Sequence, residues 1–191
     1  MYYDEIQRMM DRASLYLLIA ALIDLVSVIT SAASVVLLSN NLPSQIAIKY
    51  YPILTFPGLN AVSGFTALTM VMALVGGFVI YMSRGSLLRR EFITLPRMIL
   101  TGIALTLIAL LSSIGIFAIY YEYTGTALIS STSPLLPGTF SLIVTIALLV
   151  ISLVLTTLGR STATRLGRRY RPRTIRRQGP PPPPPPPPPQ Q

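Results

Sequence analysis

The sequence predicts an all-α integral membrane protein: a four-helix bundle of four transmembrane helices with both termini inside the cell, followed by a disordered arginine-rich and polyproline tail. Three observations carry that prediction. Just over half the residues are apolar and only 11% are charged, where soluble domains carry roughly one quarter. Four apolar runs are each long enough, as helices, to cross a hydrocarbon core roughly 30 Å thick. Of the fifteen Lys and Arg residues, all but Lys49 lie on one side of those runs.

Taken in order, residues 1–13 form a charged leader. Asp4 and Arg8 stand at helical i,i+4 spacing, and Ile6, Met9 and Met10 offer apolar contacts. The leader either extends the first span or lies on the inner interface. Span one covers 14–38; between Arg12 and Lys49 the only charge is Asp24. The small residues Thr30 to Ser34 also suit a signal-peptide cleavage site. Against cleavage stand Asp24 inside the apolar run, the acids Asp4, Glu5 and Asp11 ahead of it, and apolar residues resuming at Val35. Span two covers 61–82, after the breaker Pro57-Gly58, in a stretch without charge from Lys49 to Arg84. Span three covers 98–121 between Arg97 and Glu122, with Pro96 placed where a first helical turn tolerates it. Span four covers 139–158, between Pro137-Gly138 and Arg160. Lipid offers the backbone no hydrogen-bond partner, so runs of this length are expected to be helical and to pack as a bundle.

Orientation follows from the retention of Lys and Arg on the cytoplasmic side. Arg8 and Arg12 precede span one, Arg84, Arg89, Arg90 and Arg97 fill the connection between spans two and three, and eight more arginines follow span four. The other two connections hold only Lys49 and Glu122. This places the protein in the cell membrane as a multi-pass chain with cytoplasmic termini. Tyr50, Tyr51, Phe56, Tyr120, Tyr121 and Tyr123 then fall at the outer interface, and Tyr81 and Phe92 at the inner one. Pro57-Gly58 and Pro137-Gly138 precede spans two and four, and Arg89-Arg90 and Arg168-Arg169 follow at a similar offset. A tandem repeat of two hairpins would produce this, and so would the positive-inside rule alone.

Within the spans, small and hydroxylated residues recur at spacings of three and four. Span one has Ala20, Asp24, Ser27, Ser31 and Ser34; span three has Gly102, Thr106, Ala109 and Ser113; span four has Ser141, Thr145, Ser152, Thr156 and Gly159. Each set falls on one helical face, and such faces let helices approach closely. Asp24 lies near the bilayer midplane, where insertion costs about 2.5 to 3.5 kcal/mol. No Lys or Arg lies inside another span. Asp24 is therefore expected in its neutral form, bonded to hydroxyls, with Thr69, Thr106, Thr145 and Ser152 nearest in depth. It is either a proton or ion site or a structural glue for the bundle or an oligomer.

The tail divides in two. Residues 159–178 carry Arg160, Arg165, Arg168, Arg169, Arg171, Arg173, Arg176 and Arg177 with no acid among them, a composition expected to remain disordered. Together with Arg89 and Arg90 these are candidate contacts for anionic headgroups, each worth about 1 kcal/mol beside the membrane. Nucleic-acid binding by the same arginines is the less favoured reading, and a topology anchor the plainest. Residues 179–191 contain ten consecutive prolines, Pro180 through Pro184 to Pro189. They are expected to form a polyproline II rod of about 31 Å at 3.1 Å per residue, suited to an aromatic groove on a cytosolic partner.

The chain has no Cys and no His, which removes disulfides, thiol and imidazole chemistry and Cys/His metal sites. No cofactor is implied. The six acids lack the pairing that a carboxylate site needs, and a Ser-Lys pair would have to use Lys49 with Ser44. The expectation is a non-enzymatic membrane anchor or accessory subunit acting through its tail. The alternative is a small oligomeric channel or transporter using Asp24.

Overall fold

The computed structural model describes residues 2–40, 59–125, 129–130 and 132–170. Four helices account for nearly all of them: α1 (Tyr2–Asn40), α2 (Leu59–Leu88), α3 (Leu95–Thr124) and α4 (Leu136–Tyr170). All four are long and apolar enough to cross a membrane, so the chain has the build of a membrane protein. They form a ring in chain order, with α4 closing against α1.

The buried positions explain the geometry. In α1 they include Ile6, Met10, Ala13, Leu17, Ala20, Asp24, Ser27, Ser31, Ser34 and Leu38, alternating steps of four and three. Helix α4 buries Leu142, Thr145, Leu149, Ser152, Thr156, Ala163 and Leu166 with the same rhythm, and α3 does so from Leu95, Ile99 and Thr106 to Ala109, Ser113, Ile116 and Tyr120. A 3.5-residue repeat sustained over this length keeps one seam facing its neighbours, the pattern that favours left-handed, coiled-coil-like packing. The α1–α4 pair is antiparallel: a Cβ on Gly138 would lie 2.7 Å from Leu38 Cγ, and one on Gly159 would lie 3.2 Å from Leu17 Cγ.

The outside is apolar and the centre polar. Leu22, Ile29, Phe78, Leu111 and Phe140 are more than half exposed, while Asp24, Ser27, Ser31, Thr69, Thr106 and Ser152 have no exposed surface. Water would reward the reverse, so this distribution fits a lipid solvent. Apolar side chains fill both ends of the core. Met10, Leu17, Ile80, Leu87, Ile99 and Leu166 close the end carrying the chain termini, and Leu38, Val62, Ile116, Tyr120 and Leu142 close the other.

All four helices run past the ends of the expected spans, and three of these ends have a clear physical account. The leader continues α1 without a break, which resolves its two options in favour of extension. Pro137 and Gly138 belong to the first turn of α4, where proline's missing N–H would be unbonded anyway. Helix α4 runs to Tyr170, so residues 159–170 are helical rather than disordered. Arg160, Arg165 and Arg168 are exposed, while Ala163 and Leu166 keep the buried seam going in one cluster with Ile6 and Met10. Sequence density of charge hid that two-residue stripe.

Candidate functional site

At mid-height, Asp24 meets the other three helices. Thr106 Oγ1 of α3 lies 3.0 Å from Asp24 Oδ2 and 3.1 Å from the Gly102 carbonyl oxygen. One hydroxyl proton cannot serve both acceptors. Thr106 either donates to the carboxyl, or donates to Gly102 O and accepts from a protonated Oδ2. Ser152 of α4 lies beside the carboxyl as well but reaches the Ala20 carbonyl at 3.3 Å, and Oδ1 has no hydrogen-bond partner among the described residues. On the third side, α2 presents two glycines: a Cβ on Gly77 would stand 3.0 Å from Asp24 Cβ and 3.2 Å from Ala21 O, and one on Gly76 3.2 Å from Thr106 Oγ1. The Gly76-Gly77 pair thus brings α2 against α1 and α3 at the level of the carboxyl.

Of the hydroxyls expected around Asp24, Thr106 and Ser152 are there and two are elsewhere. Thr69 faces the Ala109 carbonyl at 3.5 Å. Thr145 Oγ1 lies 2.8 Å from Thr30 Oγ1 and 2.9 Å from Ser141 O, while Ser141 donates to Thr30 O at 3.0 Å. These contacts tie α4 to α1 nearer the far end of the bundle. Depth alone could not separate the four, because helical phase decides which neighbour a side chain meets. Gly76-Gly77 went unread as part of the site, although two adjacent glycines inside an apolar span are a signal of close approach. Ser31 Oγ is a second buried polar atom without a partner among the described residues.

The second feature is the end carrying the termini. Arg84 Nε donates to Ser14 Oγ at 3.0 Å, joining α2 to α1. Arg89, Arg90, Arg97, Arg160, Arg165 and Arg168 are exposed around this end. Helix α2 terminates with Glu91 N–H donating to Ser86 O at 2.9 Å and Arg90 N–H to Leu87 O at 3.1 Å. That pairing is a Schellman cap, which puts Arg90 in the left-handed region at φ 61°, a place usually given to glycine. Arg169 lies in α4, but its side chain is outside the described residues, as are Arg171, Arg173, Arg176, Arg177, the prolines Pro180, Pro184 and Pro189, and Tyr50, Tyr51, Phe56 and Tyr123. Among the described residues no group of three acidic side chains could hold a metal ion.

No protein family, curated protein or solved structure matches the chain. A reading of function therefore rests on these two features.

Proposed function

We propose that the protein is a non-enzymatic, multi-pass anchor or accessory subunit of the cell membrane with both termini in the cytoplasm. Its arginine-bearing end contacts the anionic inner leaflet, and its prolines 180–189 recruit a cytosolic partner. One observation carries this choice over conduction. The polar groups of the core mostly bond helix to helix or back along their own helix, as in Thr106 to Asp24, Ser152 to Ala20 and Ser141 to Thr30, and packed Leu and Ile residues cap them at both ends. A core used in this way is glue, which leaves the charged end and tail as the parts that act.

The alternative, a small oligomeric channel or transporter using Asp24, draws on the unpartnered Asp24 Oδ1 and Ser31 Oγ. Buried polar atoms without partners are uncommon, and an intramembrane carboxyl is a functional candidate by default. Proteoliposome flux measurements on the intact chain and Asp24→Asn, paired with a tail pull-down, separate the two. The anchor reading expects no proton or cation flux from either protein and a cytosolic partner captured through residues 180–189. Flux that Asp24→Asn abolishes would replace it with conduction.

A further inference from the structure

We infer that the groove between the α2–α3 turn and the last turns of α4 binds the phosphate headgroup of one anionic phospholipid, with an acyl chain lying along Ile93. The inference rests on the orientation given under the proposed function and narrows its general leaflet contact to a site.

The groove has a volume of about 390 Å3, within the range of small-ligand pockets, about 300 to 1,000 Å3. Phe92, Ile93, Leu95 and Pro96 form one wall, and Ala163, Gly167 and Arg168 of α4 line the other. Apolar surface and a guanidinium thus share one concavity at the level where the helices leave the hydrocarbon. An amphiphile with a negative head satisfies both; inorganic phosphate uses only the second.

Gly167 makes the space. A Cβ there would lie 3.8 Å from Phe92 Cβ, in ordinary contact, so a larger side chain fills the groove without colliding with backbone. Ile93 is 91% exposed, against 66% for Ile29 and Phe140 on the lipid-facing wall. In water that exposure brings no gain, whereas at the inner interface it places a branched aliphatic side chain among acyl chains. Charge selects the head. Arg168 lines the groove, and Arg89, Arg97 and Arg165 are exposed nearby, with Glu91 as the acid of the turn. A second copy of the chain would set arginines against arginines, which disfavours it as occupant.

The test uses the full chain in a neutral detergent. It is titrated with dioctanoyl phosphatidylglycerol, dioctanoyl phosphatidylcholine or inorganic phosphate, and bound molecules are counted by native mass spectrometry. One phosphatidylglycerol should bind saturably, with phosphatidylcholine and phosphate much weaker. Gly167→Leu, which changes no charge and raises helix propensity, should abolish that binding. Arg168→Gln should weaken it about fivefold, the effect of one arginine near a charged surface, and Ile93→Gln should weaken it without altering the melting temperature. Equal binding of phosphatidylcholine, undiminished binding by Gly167→Leu, phosphate competing as well as the lipid, or a dimer forming in place of a lipid complex would each overturn the inference. Partner capture by residues 180–189 does not involve the groove, so losing the groove and losing the anchor reading give different results.

Discussion

The middle of the bundle and the end carrying the termini are built on one seam but held by different forces. Around Asp24 the seam consists of Ser27, Ala73, Gly76, Thr106, Ala109 and Ser152; at the termini it consists of Met10, Leu17, Leu87, Ile99 and Leu166. The lengths explain the change. Helix α1 has 39 residues and α4 has 35, about 58 and 52 Å at 1.5 Å per residue, against a hydrocarbon core of roughly 30 Å. The central layers therefore lie in lipid, where burying Leu against Leu gains little over leaving it among acyl chains, and close backbone approach with hydrogen bonds does the holding. In a bilayer centred on Asp24, the outermost turns of α1 and α4 would reach the headgroup region, where apolar burial stabilises more than it does among acyl chains.

That contrast orders the effects of substitution. Leu166→Ala should be the largest. Leu166 is fully buried in the terminal cluster, and truncating such a side chain costs about 2 to 5 kcal/mol, read as a lower midpoint in reversible unfolding from mixed micelles. A loss below about 1 kcal/mol would mean that these turns are held by something other than burial. Gly138→Val should come next. Its Cβ would meet the Leu38 backbone nitrogen at 2.9 Å, which cannot swing aside, and overpacking of this kind costs about 1 to 3 kcal/mol. Arg90→Gly should move the other way, stabilising by about 1 kcal/mol because it relieves a non-glycine residue at φ 61°. The same change removes a positive charge from the arginine-bearing end, so higher stability accompanied by weaker vesicle binding would mark Arg90 as kept for its charge.

Legibility in the sequence tracks the same division. The four helices and the α1, α3 and α4 stripes were readable because lipid leaves few alternatives to a long apolar helix and because hydroxyls recur with the seam. Depth limited the neighbours of Asp24 to four hydroxyls, Thr106 among them, and only the packed helices separate them. The helical stretch 159–170 was not readable, since its four arginines and the four that follow by residue 177 outweigh Ala163 and Leu166 in any composition argument, and the partner stripe, Ile6 and Met10, lies more than 150 positions earlier. Nor was the groove at Gly167, because Phe92 and Gly167 come together only once α3 and α4 have packed.

The smallest effect discriminates most sharply. In a double-mutant cycle of Asp24→Leu with Thr106→Val, the coupling between the two side chains isolates their contact. Hydrogen bonds between neutral groups inside a membrane protein average about 0.6 kcal/mol, whereas those to a charged group reach about 1.5 to 3 kcal/mol. The 3.0 Å contact from Thr106 Oγ1 to Asp24 Oδ2 is compatible with either, because distance does not report where the proton is. A coupling near the lower value places a neutral acid in a structural layer, in keeping with a centre held by many weak contacts. A value above about 1.5 kcal/mol would put a charge at mid-membrane with one hydroxyl as its partner and an oxygen left over. Such a carboxyl would need a cation or proton from outside the chain, and the centre would then be the working part of the molecule rather than its glue.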